Sequence, residues 1–85
     1  MSQLAAHSAE VEMWLECGAH GRVNLCRITP KSVVARESRE IPPCFADLVV
    51  SVDGRIHRTP VNLSSGFRKG RLAALIQPVT DVAPF

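Results

Sequence analysis

The chain reads as an all-β protein, a small antiparallel meander whose five to six strands form a barrel or a sandwich. Three observations predict this. The run Ala46-Asp47-Leu48-Val49-Val50-Ser51-Val52 is interrupted by Asp53-Gly54 and resumes as a second strand-like run from Arg55. Both central positions of a two-residue hairpin turn need positive φ, which Asp and Gly tolerate, so this segment is a hairpin. Residues Val11 to Cys17 alternate apolar and polar side chains, the period of a half-buried strand. Strand-like runs then recur at roughly 8–14 residues between polar turns, as in compact all-β domains.

Taken in order, residues 1–9 show no strong periodicity and read as a flexible lead-in to a single β domain over 10–79. In the first strand Val11, Met13, Leu15 and Cys17 share one face, with Glu12, Trp14 and Glu16 on the other. Gly18-Ala19-His20-Gly21 is a turn, and Arg22–Ile28 returns as the second strand. A loop of those four residues sets Cys17 opposite Arg22, so Glu12 faces Arg27, Met13 faces Cys26 and Trp14 faces Leu25. Opposite-charge and aromatic–aliphatic pairs of this kind are each worth about 0.2–1 kcal/mol.

Thr29-Pro30-Lys31 is a turn, because Pro cannot donate to a central ladder. Ser32–Arg36 is a short third strand, and Glu37–Pro43, with its charges and double proline, is an exposed loop. The fourth and fifth strands are the Asp53-Gly54 hairpin, the fifth reaching about Leu63 on its strand pattern. A tight two-residue turn sets Val50 against His57; a three-residue loop sets Val52 against Ile56. Ser64 to Val79 has two readings. The preferred one turns at Arg68-Lys69-Gly70 and makes Arg71–Gln77 a sixth strand. The alternative, an α+β chain with a C-terminal helix over 64–77, is capped by Ser64 but carries Gly70 mid-helix at about 1 kcal/mol. Residues 80–85 are a C-terminal tail.

Apolar residues make up 46% of the 85 and charged residues 21%, the balance of a globular domain. In so short a chain, burial at about 25 cal/mol/Å² nearly cancels an ordering cost of about 1.5 kcal/mol per residue, which favours a partner, a second copy or a metal. No run approaches the roughly 18–20 apolar residues of a membrane span. The N-terminal residues lack a basic leader, and three cysteines do not pair evenly. Both features point to a reducing, cytoplasmic setting.

Catalytic patterns are missing. Ser64-Ser65-Gly66 is not a nucleophile elbow, and Gly66 and Gly70 do not match a phosphate loop. The expectation is a non-enzymatic binding or adaptor module without a cofactor. On the register above, Trp14, Val23 and Leu25 form an apolar patch opposite the Met13/Leu15 face, a surface for another protein or a second copy.

Two alternatives stand beside it. Residues 54–80 carry Arg55, Arg58, Arg68, Lys69 and Arg71 and no acid, with Phe67 interleaved; guanidinium groups on hairpin tips suit nucleic-acid phosphates. Cys17, His20, Cys26 and Cys44 include one tight ligand pair of the kind that holds structural zinc. The stretch Asn62-Leu63-Ser64-Ser65-Gly66 resembles the Asp/Asn-x-Ser-x-x-Gly element of PilZ cyclic-dinucleotide-binding barrels. Its glycine comes one residue early and no paired-Arg element precedes it, so no residue role follows from the resemblance.

Overall fold

Alternation and turn chemistry produce strands β1 (Val11–Glu16), β2 (Arg22–Ile28), β3 (Ser32–Ala35), β4 (Cys44–Val52) and β5 (Arg55–Leu63). Two short strands follow, β6 (Ala73–Leu75) and β7 (Gln77–Pro78). The computed structural model describes residues 10–79. The strands make one antiparallel sheet in the order β6-β3-β2-β1-β4-β5-β7.

The two ends of that order are separated in sequence by Ile76 alone, so the sheet curls until its edges meet in a nearly closed barrel. Residues 72–79 bind both edges. On the β3 side Ala35 N–H donates to the Leu72 carbonyl at 2.8 Å, and Ile76 N–H to the Lys31 carbonyl at 2.9 Å. On the β5 side Ser64 N–H donates to the Leu75 carbonyl at 3.1 Å, and Val79 N–H to the Pro60 carbonyl at 3.3 Å. Closure of this kind satisfies backbone groups that open edges leave unpaired.

The all-β reading therefore holds and the helix over 64–77 does not form. The turn at 68–71 is present, with Arg71 N–H donating to the Arg68 carbonyl at 2.9 Å. The single strand expected over Arg71–Gln77 is instead broken at Ile76, because the chain must leave one edge and join the other. This makes seven strands where five to six were expected.

The tight hairpin register is the observed one, with Val50 opposite His57 and positive φ at Asp53 (51°) and Gly54 (85°). The β1–β2 register differs by one residue. Trp14 faces Asn24, Leu15 faces Val23 and Glu16 faces Arg22. The connection is five residues long, closed by Cys17 N–H on the Gly21 carbonyl at 2.8 Å around a 3-10 turn at Gly18–His20. A one-residue slip exchanges faces, so Val23 and Leu25 join Leu15 inside the barrel.

The core also holds Val33, Ala35, Val61, Leu63, Ala74 and Ile76. Ile41, in the loop expected to be exposed, is buried against it through a bridge to Phe67. Two departures from a regular barrel shape the surface. β5 is exposed over residues 55–60 and buried only from Val61; its first half forms the outer strand of an arm with the end of β4 and the start of β1. β2 pairs with β1 only through Arg22–Asn24 and then follows β3 past a bulge, which splays β1 from β2. No helix among the described residues is long and apolar enough to cross a membrane.

Candidate functional site

Outward-facing positions of neighbouring strands align across the sheet as Arg58, Val49, Trp14 and Asn24, with Arg36 bound next to Asn24 just past β3. Trp14 is 7% exposed and Val49 fully buried, a small apolar island apart from the barrel core. The Arg22 guanidinium lies over the Trp14 ring at 4.0 Å from its centroid, an arrangement attracted by the ring quadrupole. Trp14 Nε1–H donates to Glu16 Oε2 at 3.0 Å, and Arg58 Nη1 donates to Glu16 Oε1. These bonds, Arg58 first and Trp14 second, hold the Glu16 carboxyl below the usual carboxylate range.

The expected patch of Trp14, Val23 and Leu25 does not form as one surface. Val23 and Leu25 face the core, while Trp14 faces outward beneath Arg22. The basic cluster is also divided. Arg68, Lys69 and Arg71 sit on an exposed turn pinned by Gly70 N–H to Ser38 Oγ at 2.9 Å. Arg55 lies at the arm tip, about 26 Å along β5 from Leu63 at the rise of an extended strand. Arg55 and Arg58 lie on opposite faces of that strand. Phe67 is 2% exposed, so its ring is not a stacking platform beside Arg68 and Lys69.

The four zinc candidates are not gathered. Cys26 is exposed on β2, His20 is exposed in the β1–β2 turn, and Cys17 is buried. No group of three metal-ligating side chains occurs among the described residues. Cys17 instead neighbours Cys44; burial and then Cys44 push the Cys17 thiol up to about 11.

Two features emerge that strand periodicity did not expose. The first is the outer edge of β5. The residues flanking a two-residue turn bond to each other, so Arg55, His57 and Thr59 direct their backbone groups to β4. Ile56, Arg58 and Pro60 direct theirs outward, as the Pro60 carbonyl shows by accepting from Val79. β7 covers only Val61 and Asn62, and among the described residues no strand lies along 55–59.

The second is the cleft opened by the splay of β1 from β2, about 290 Å³ and lined by Glu12, Trp14, Arg22, Asn24 and Arg36 with neighbouring apolar atoms of β1. Arg22 Nε donates to Asn24 Oδ1 at 3.3 Å, and Arg36 Nε donates to the Leu25 carbonyl at 3.2 Å. Comparison with protein-family models, curated proteins and solved structures found no match to this chain.

Proposed function

We propose that the protein is a non-enzymatic binding module that takes an extended acidic segment of a partner protein as an added strand along the outer edge of β5. The observation that carries this reading is the outward-facing, uncovered backbone of Ile56 and Arg58 on a strand with no acidic residue. Strand addition draws affinity from main-chain hydrogen bonds and selectivity from alternate side chains. Arg55, outside the Arg58–Glu16 ion pair, flanks the edge near the arm tip, which favours a carboxylate on the incoming strand. Its charge opposes pairing with a second β5 wherever two such residues fall opposite, since like charges directly opposite destabilise a ladder.

Pro60 sets one limit of the track. It has no N–H to offer, and its carbonyl is already used by Val79. Beyond it lies a cleft lined by Phe45, Pro60 and Val79 together with the acids Glu16 and Asp47, with Phe45 74% exposed, which suits an apolar and not an acidic residue at the end of the incoming strand.

Fluorescence anisotropy with a labelled peptide alternating Glu and Val tests the proposal. Saturable binding that weakens with salt is the expected result, with no binding of the matching Lys/Val peptide. Ile56→Pro removes an outward donor without touching the β4 ladder, so it should weaken binding at least tenfold while the circular-dichroism spectrum is unchanged. Equal binding of both peptides, or full binding by Ile56→Pro, overturns the reading. So does a dimer, seen by light scattering, that the same substitution abolishes.

A further inference from the structure

We infer that the cleft between the splayed ends of β1 and β2 is an oxyanion site that takes the phosphate group of a small phosphorylated ligand between Arg22 and Arg36. This is independent of the β5 edge. It rests on how the two guanidinium groups are held. Each is anchored through Nε, Arg22 on Asn24 Oδ1 and Arg36 on the Leu25 carbonyl. The anchors fix the planes and leave both terminal nitrogens of each group for a ligand. Guanidinium groups presented in this way match the paired oxygens of a phosphate.

Further anchors limit how far the pair moves. The Trp14 ring supports Arg22 from below. Arg36 follows directly on β3, and its own N–H donates to the Asn24 carbonyl at 2.9 Å. Because Asn24 Oδ1 accepts from Arg22, the amide nitrogen of Asn24 remains as another donor on the lining.

Charge argues in the same direction. Among the described residues the one ion pair is Arg58–Glu16, so neither Arg22 nor Arg36 is held in a salt bridge, and the Glu16 carboxylate opposite Arg22 acts on it only at longer range. Glu12 is the acid on the lining, set against two cations. Arg39 stands nearby, with its guanidinium donating to the Arg22 carbonyl at 2.9 Å and the His20 carbonyl at 3.0 Å. It adds a positive charge beside Arg22, in a small recess that it shares with the acid Glu37. The cleft has room for a phosphate or diphosphate with its water, but not for a nucleic-acid duplex. That size suits the phosphate of a small molecule.

Trp14 supplies the readout, because it is the only tryptophan and the chain has no tyrosine. Titration of the full chain with inorganic pyrophosphate should change Trp14 fluorescence saturably, beyond any change from sodium chloride at equal ionic strength. Arg36→Gln should weaken pyrophosphate binding at least tenfold in that titration. Arg36→Lys, which keeps the charge and loses the fork, should weaken it severalfold. Arg22→Gln alters the fluorophore's surroundings, so calorimetry reads it, with the same tenfold loss expected. Arg68→Gln, on the distant turn, should bind as the unaltered chain does.

Four outcomes overturn the inference. These are no saturable response in either fluorescence or calorimetry, a response reproduced by chloride, retention of affinity in Arg36→Gln, and binding of a single-stranded oligonucleotide without binding of pyrophosphate.

Discussion

Ile41 and Phe67 exchange both of their backbone hydrogen bonds, Ile41 N–H to the Phe67 carbonyl at 3.0 Å and Phe67 N–H to the Ile41 carbonyl at 2.8 Å. This two-residue bridge seats the loop before β4 against the barrel and buries both side chains. It depends on Gly66, where φ is 64° and an added Cβ would meet the Ile41 carbonyl and come within 2.8 Å of the Pro43 nitrogen. Gly66→Ala should cost at least about 2 kcal/mol, because a left-handed Ala alone costs roughly 1–2 kcal/mol and rigid backbone blocks relaxation. The thermal midpoint should fall by roughly 10 °C in a domain this small. Gly70→Ala is the control: its φ is also positive at 85° but nothing lies near its Cβ position, so it should lose about half as much.

Leu25 on β2 lies wholly inside the barrel, whereas Leu75 on β6 is 57% exposed. Leu25→Ala should cost about 2–5 kcal/mol from lost burial and the residual cavity. Leu75→Ala should stay within about 0.5 kcal/mol. Urea unfolding of the two variants measures both, and equal costs would contradict the core assignment.

Glu16 titrates below an ordinary glutamate because Arg58 and the Trp14 indole hydrogen-bond its charged form. A depressed folded-state pKa gives stability that is present above the unfolded pKa and disappears as pH falls through the folded one. Acid should therefore release this contribution, and Glu16→Gln should flatten the acid side of the stability profile. Carboxyl chemical shifts followed against pH should show Glu16 rising toward its ordinary value in Arg58→Gln.

Cys17 behaves in the opposite sense, with a thiol raised from 9.0 to about 11 by burial and by Cys44. Its neutral form is the one the fold accommodates. The resulting stability is complete below pH 9 and is lost as pH rises toward about 11, while the unfolded thiol ionises freely. Thermal unfolding across that window should decline less steeply in Cys17→Ala than in the unaltered chain. A disulfide reagent at neutral pH should label the exposed Cys26 much faster than Cys17.

Much of the architecture is legible in local signals. Asp53-Gly54 announces its turn because few other pairs accept two positive φ values, and the flanking register follows from the loop length. Alternation in β1 correctly sets Trp14 with Glu12 and Glu16 and apart from Leu15. The following turn is where the reading departs from the structure. Gly18-Ala19-His20-Gly21 admits either a four-residue loop or a five-residue one that includes Cys17, and only packing of Val23 against Leu15 decides between them. The break at Ile76 has no local signature, since it arises from two sheet edges brought together by curvature. Arg22 and Arg36 stand on separate elements, so a scan for charge runs favours the dense Arg68-Lys69-Gly70-Arg71 turn over a cleft assembled by folding.

Fastening both edges with residues 72–79 has a consequence for synthesis. While the chain emerges from a ribosome, β3 and β5 remain open ribbons until almost the whole domain has been made. Ring closure must therefore wait for residues 72–79, however early the individual hairpins form.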